Sequence, residues 1–297
     1  MSAAHALTLM LLAAVSGATP TAAPTSAPVR WTPQAIATSA YEATPTFSPD
    51  GKEMYYMTSD PAFRSYSLLV SRCEGGAWQP PAAPGFALSL PVFDGDPHVT
   101  ADGERIYFIS TRQNTAKDDE DFDIWMAHRR KDGTWSAPER LPEPVNSASS
   151  ELLPRTTADG RLFFGSDRAG GQGGMDIYEA RRDAKGAWTV ANLGGPVSTR
   201  HGEYEAEVSA DGNTLVVVAD RGDRSHLYVF ERSATQWVKR YRVPARADVF
   251  QVGPLLSPRK DRLLFAQAEP GRSGEMMLID LAPHPDPAWP PVCSSAR

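Results

Sequence analysis

The chain has 297 residues, enough for one large domain or two small ones, and its 41% apolar content is that of an ordinary globular protein rather than a disordered or membrane-embedded one. A formal charge of -6 with no Lys/Arg cluster argues against a nucleic-acid partner and against a polybasic membrane anchor. The 23 glycines and 26 prolines suit a fold with many turns.

In chain order, residues 1–28 come first and differ from the rest. The run "HALTLMLLAAVSGA" has the length of a signal-peptide core and is too short to span a bilayer. Ser16 and Ala18, or Thr21 and Ala23, suit the -3 and -1 positions of a cleavage site. No Lys or Arg precedes the run, only His5, which departs from the usual pattern; the other reading is a disordered Ala/Thr/Pro tail after a chance apolar run. We take 1–28 as a signal peptide and disordered leader. The mature protein is then periplasmic or secreted, with no transmembrane segment. No cysteine lies near the cleavage region, so no lipid anchor is expected.

From about residue 40 the sequence repeats itself. Asp-Gly recurs at Asp50-Gly51, Asp102-Gly103, Asp159-Gly160 and Asp211-Gly212, with a degenerate copy at Lys260-Asp261. The steps between aspartates are 52, 57, 52 and 50 residues, a period that signals stacked modules. Each module opens with a short run holding Pro45, Pro97, Pro154, Ala206 or Pro254. The Asp-Gly turn, a strong hairpin signal, leads into a β-rich run: "MYYMTS", "IYFIS", "LFFGS", "LVVVA", "LLFAQ". A variable loop precedes a third run: "SLLVSR", "DIWMAH", "DIYEAR", "HLYVFE", "MMLID". In four modules Trp78, Trp135, Trp188 or Trp237 then opens a weaker fourth segment, read as packing between modules. No window places apolar residues at i, i+3, i+4 and i+7, so helical repeats are excluded. Four short strands per module predict an all-β fold, a five-bladed β-propeller with blades at about 40–90, 91–147, 148–200, 201–247 and 248–290, in one domain over 29–297. Trp31 to Thr38 reads as a strand without a blade of its own, placed to complete the last blade and close the ring. The tail around Trp289 competes for that slot.

The phrases "FSPDGKEMYYMTSD", "TADGRLFFGSDR" and "GGMDIYEARR" resemble the PD40, or TolB-like, variety of WD40-like repeat, over about residues 40–281. The resemblance implies the propeller fold. Its functional implications are broad: such propellers serve as periplasmic binding modules, as scaffolds and as gating domains on peptidases.

Three residue sets stand out within the repeat. Glu42, Asp94, Glu151, Glu203 and Gln251 occupy one equivalent position on the innermost strands, with Asp96, Glu205 and Glu207 nearby. One reading makes them a ring at the mouth of a central channel, able to receive a basic group or a cation. The other pairs them between adjacent blades with Arg112, Arg168 and Arg221, which follow the second strands. His98, beside Pro97 on an inner strand, is the histidine to examine. Cys73 and Cys293 are the only cysteines; a bridge between them would latch the ring if the last blade meets the first, and two separately buried thiols are the alternative.

Other features carry less. "KDDEDFD" at 117–123 lacks the glycine and spacing of a calcium loop, and "GGQGG" at 170–174 lacks the Gly-Lys-Ser/Thr of a phosphate loop. The insertions at 113–122 and 168–175 are expected to share one face. Scattered histidines offer no metal-ligand spacing, no Gly-x-Ser-x-Gly elbow occurs, and neither a metal nor a cofactor is expected. The reading is an exported, non-catalytic, monomeric propeller that binds a protein, a peptide or an envelope glycan. Its alternative is a glycoside hydrolase using two of the channel carboxylates, since five-bladed propellers host such enzymes.

Overall fold

The structure is a computed structural model that describes residues 23–24, 26–112, 121–245, 249–269 and 272–294. Most of the expected leader and residues 117–120 of the acidic loop lie outside them. Among the described residues there is no helix, so none long and apolar enough to cross a membrane.

A two-residue strand, β1 (Val29–Arg30), precedes five antiparallel units. The first holds β2 (Tyr41–Phe47), β3 (Glu53–Ser59), β4 (Tyr66–Glu74) and β5 (Ala77–Trp78). The second holds β6 (Asp94–Val99), β7 (Arg105–Ser110), β8 (Asp123–His128) and β9 (Glu139–Arg140). The third is β10 (Glu151–Thr156), β11 (Leu162–Ser166), β12 (Asp176–Arg182) and β13 (Trp188–Asn192). The fourth is β14 (Gly202–Val208), β15 (Thr214–Asp220), β16 (Ser225–Ser233) and β17 (Gln236–Arg242). The fifth has β18 (Gln251–Leu256), β19 (Arg262–Glu269) and β20 (Arg272–Asp280) from its own segment, and β1 pairs with β20 through Val29↔Leu278 and Arg30↔Met277. A parallel bridge, Tyr41↔Gly274, joins the fifth unit to the first.

The extra strand lies upstream of the stretch expected to form it. Trp31 and Thr32 still bond Met276 O, but Pro33 has no N–H to continue the ladder, and its carbonyl accepts from Ile36 and Ala37 as the chain turns. The tail around Trp289 forms no strand. It runs from the fifth unit, where Arg262 Nη1 donates to Trp289 O at 2.5 Å, to the first, where Cys293 forms a disulfide with Cys73 of β4, Cα to Cα 5.4 Å.

The second strands are buried along almost their whole length. All five residues of β11 and six of seven in β15 are buried, because both faces of each sheet pack on a neighbour. The core lies between units rather than within them. Tyr55 and Leu68 of the first meet Phe108 and Trp125 of the second, and Phe163 and Ile177 of the third meet Val217, Phe230 and Trp237 of the fourth. Val229 and Tyr241 share a cluster with Phe265, Met277, Tyr41 and Met57, spanning the fourth, fifth and first units. Trp135 Nε1 donates to Tyr55 OH at 2.9 Å across the first boundary. Arg129, Arg182 and Arg232 lie over Trp135, Trp188 and Trp237 at 4.7, 4.5 and 5.6 Å.

In the first hairpins, Gly51, Gly103, Gly160 and Gly212 have φ of 67° to 82°, the region that favours glycine. A hydroxyl two residues before each aspartate locks the turn: Ser48 Oγ donates to Asp50 at 2.6 Å and Ser209 Oγ to Asp211 at 2.5 Å. The fifth turn departs from the expected register. Lys260, at φ 60°, takes the glycine position, so Arg259-Lys260 replaces Asp-Gly. Asp261 recovers the lost contact from beyond the turn, accepting from Ser257 Oγ at 2.7 Å.

Candidate functional site

The first strands β2, β6, β10, β14 and β18 hold most of the residues singled out above. They pack β2 on β6, β6 on β10, β10 on β14, β14 on β18, and β18 on β2. Each contains a one-residue bulge, between Ala43 and Thr46, Gly95 and His98, Leu152 and Arg155, Glu203 and Glu205, and Val252 and Leu255. Thr44, Asp96, Leu153 and Gly253 adopt positive φ there. Pro45, Pro97, Pro154 and Pro254 follow directly, at points where the ladder needs no donor.

The bulge decides which side chains face the centre. Glu42, Asp94, Glu151, Glu203 and Gln251 do share one position, but all are fully buried and engaged by the segments that link the units. Glu42 accepts from Thr38 N at 3.1 Å and from Thr38 Oγ1. Glu151 accepts from Ser147 N and Oγ at 3.1 and 2.7 Å, and Glu203 from Thr199 N and Oγ1 at 2.8 and 2.7 Å. Asp94 accepts from Leu88 N at 2.7 Å, and Gln251 Nε2 donates to Pro244 O at 2.9 Å.

The arginines complete these pins. Arg112 meets Asp94 at 2.9 Å, Arg168 meets Glu151 at 2.8 Å and Arg221 meets Glu203 at 3.2 Å. Each ion pair lies within one unit, not between adjacent units as expected, because the arginine leaves the end of the second strand beside the start of the first. The guanidinium still reaches the linker from the unit before: Arg168 donates to the carbonyls of Pro144 and Val145, and Arg221 to those of Pro196 and Val197. The reading of the five as a channel-mouth ring is corrected accordingly. Their chemistry is spent on fixing linkers, and the residues open to the centre lie two and four positions further on.

Two positions on, Thr44, Asp96 and Glu205, and one position on, Leu152 and Val252, line a cavity of about 510 Å3 to which all five first strands contribute. Asp96 and Glu205 are its buried carboxyls. One oxygen of each is held by a backbone N–H: Leu153 N donates to Asp96 at 3.1 Å, and Gly253 N to Glu205 at 2.7 Å. Phe63, Tyr66, Tyr204 and Phe250 form apolar wall, with Asp220, Asp223, Arg224 and Ser225 beside them. Burial raises the pKa of Asp96 against the pull of Arg155, and burial together with the Asp96 charge pushes Glu205 up to about 8.

Four positions on lie Thr46, His98, Arg155, Glu207 and Leu255. Arg155 is fully buried. Its Nε meets Glu207 at 2.7 Å, and its Nη1 donates to the carbonyls of Pro97 and Pro154. Burial raises Glu207 while Arg155 opposes the rise. His98 Nε2 lies 2.8 Å from Thr156 Oγ1, and burial, then the nearby Arg155 charge, hold its pKa well below the usual histidine range. His98 is therefore a neutral spacer. It lines a second cavity, of about 540 Å3, on the Asp-Gly side of this layer, together with Glu207, Trp289 and Pro291.

The loop at 170–174 is packed, not free: Gly174 N bonds His201 O, and a Cβ at Gly173 would lie 2.0 Å from that oxygen. A groove of about 780 Å3 between the second and third units is larger than the central cavity, but its Arg105 and Arg161 are paired with Asp102 and Asp159. Among the described residues no cluster of three or more His, Cys, Asp or Glu is arranged to hold a metal.

Arg155 and the aromatic wall are absent from the sequence reading. Arg155 sits outside the repeat pattern, since no other unit has an arginine there, and Phe63, Tyr66 and Phe250 lie in or beside loops of variable length. The linker pins did leave a signal, a Ser or Thr four residues before each Glu: Thr38 and Glu42, Ser147 and Glu151, Thr199 and Glu203.

No protein-family model matches the chain, and no curated protein matches it. Solved structures do. TolB from Acinetobacter baumannii superposes with a TM-score of 0.52 at 17% identity, over 82% of this chain and 55% of that one, so the chain spans about half its length. An α-L-arabinofuranosidase from Lactobacillus brevis gives 0.52 at 14% identity, over 84% of this chain and 92% of that one. A periplasmic gluconolactonase from Pseudomonas aeruginosa is more distant, at 0.45 and 14% identity, over 80% of this chain and 71% of that one. The first two likenesses establish an all-β propeller fold and no activity.

Proposed function

We propose that the chain is a non-catalytic binding module of the cell envelope, a five-bladed propeller whose ligand is held in the cavity above Asp96 and Glu205. The cyclic packing of the first strands, and the completion of the fifth unit by β1, support a closed ring of five blades. The disulfide suits an oxidising compartment, in keeping with export to the periplasm or beyond. TolB shares the fold, and the resemblance of the repeat to the TolB-like variety implies a periplasmic binding module among its roles. The ligand classes remain a protein, a peptide or an envelope glycan.

The observation that carries this reading is the cavity itself. It has the volume of a small-ligand site, apolar walls from several units and two convergent buried acids. Thermal-shift and calorimetric screening against envelope-glycan fragments and short peptides tests it. The expected result is a ligand that raises Tm without being turned over, and whose effect disappears in Phe63→Ala and Phe250→Ala. The second reading, a glycoside hydrolase, draws on the same acids: one carboxyl kept protonated near neutrality beside another is what a general acid needs. The arabinofuranosidase shows that an enzyme uses this architecture. Release of sugar from a glycoside panel, lost in both Asp96→Asn and Glu205→Gln, would put that reading in place of binding.

A further inference from the structure

We propose that the central cavity selects an organic cation, an ammonium or guanidinium on an apolar stem. This rests on the binding reading above and adds the chemistry of the ligand. The charged residues lining the cavity are Asp96, Glu205, Asp220 and Asp223 against Arg224 alone. The arginine beneath them, Arg155, is anchored through Nε and Nη1 by Glu207 and by the carbonyls of Pro97 and Pro154, and its charge is shared with Asp96 and Glu205. Three buried carboxyls, Asp96, Glu205 and Glu207, thus share one guanidinium. Once Glu205 has lost its proton, above about pH 8, a neutral or anionic ligand would leave that imbalance in a desolvated site, whereas a cation removes it.

Two further features point to a donor-bearing guest. Thr44 is 1% exposed and lines the cavity beside Asp96; its hydroxyl is close enough to Asp96 to favour the ionised acid, and Oγ1 keeps its acceptor capacity for an N–H. The carboxyls of Asp96 and Glu205 are oriented by the N–H groups of Leu153 and Gly253, so their placement does not depend on the guest. Phe63, Tyr66, Tyr204 and Phe250 complete the fit, since aromatic faces attract cations and bury an alkyl stem. The same chemistry comes from a free alkylamine or from a lysine or arginine side chain of a peptide.

Calorimetry on the full chain at pH 8.5 separates the cases. The probes are n-pentylammonium, acetyl-Gly-Lys-Gly-amide and acetyl-Gly-Arg-Gly-amide, their neutral counterparts n-pentanol and acetyl-Gly-norleucyl-Gly-amide, and calcium chloride alone. We expect at least one cationic probe to bind tenfold or more tighter than its neutral counterpart, with the difference abolished in the Asp96→Asn/Glu205→Gln double variant. Binding by pentylammonium as strong as by the peptides identifies a small-molecule guest; binding by the peptides alone identifies a basic side chain. The parent comparison needs no variant, so a folding defect in the double variant does not decide the outcome. Equal binding of neutral and cationic probes, no binding of any cation at millimolar concentration, an unchanged preference in a folded double variant, or calcium binding without organic-cation binding would each overturn the proposal. A neutral ligand lost in Phe250→Ala would overturn the cation and leave the binding module standing, whereas glycoside turnover would overturn the module itself.

Discussion

Glu205 occupies a place where its own charge is disfavoured, and that has a measurable pH signature. A carboxyl whose folded pKa lies above its unfolded value holds its proton more tightly in the folded chain. Its favourable contribution is complete below about pH 4.5 and is lost as pH rises through about 8. Glu205→Gln, which keeps the shape without the charge, should therefore match the parent near pH 4 and exceed it above pH 8, by of order 2 to 4 kcal/mol. Urea denaturation at a series of pH values checks this; a parent whose stability does not decline relative to the variant between those limits would contradict the assignment. Asp96 acts in the same direction, so the double variant should show the larger effect.

At the scale of elements, the hairpins and linkers depend on a few buried contacts. Arg168→Ala leaves the fully buried Glu151 without its cation and Pro144 and Val145 without their donor, and should cost about 3 to 5 kcal/mol in chemical denaturation. Thr199→Ala removes one hydroxyl donor to Glu203 and should cost about 1 kcal/mol. Gly165→Ala tests a close approach: a Cβ there would meet Tyr204 O at 2.0 Å, so β11 would have to withdraw from β14. Second and third strands are legible in the sequence because both faces are buried, and continuous apolar runs betray that. The fourth strands are marked by Trp78, Trp188 and Trp237, which fall in β5, β13 and β17, whereas Trp135 lies ahead of β9; β5 and β9, two residues each, have little burial to pattern. The acids at the start of the first strands are equally visible, but their role is not. A single inserted residue turns the strand, and only the proline three places on records it, at Pro45, Pro97, Pro154 and Pro254 but not after Glu203. The site was half visible: Asp96, Glu205 and Glu207 stand beside the repeat, whereas Arg155 and the aromatic wall belong to no repeated position.

At the scale of the whole molecule, β1 and the segment ending in Cys293 meet around the boundary of the fifth and first units. β1 pairs with β20, and the disulfide ties the tail to β4 across 220 residues of sequence. Replacing Cys73 and Cys293 by serine should lower stability by about 2 to 5 kcal/mol. Reductant should lower the Tm of the parent to that of the variant and leave the variant unmoved. The buried Arg155–Glu207 layer has a different consequence. It stands between the aromatic cavity and the one beyond it, and the two share no lining residue. On the binding reading, that layer is the floor on which a guest among the rings would rest.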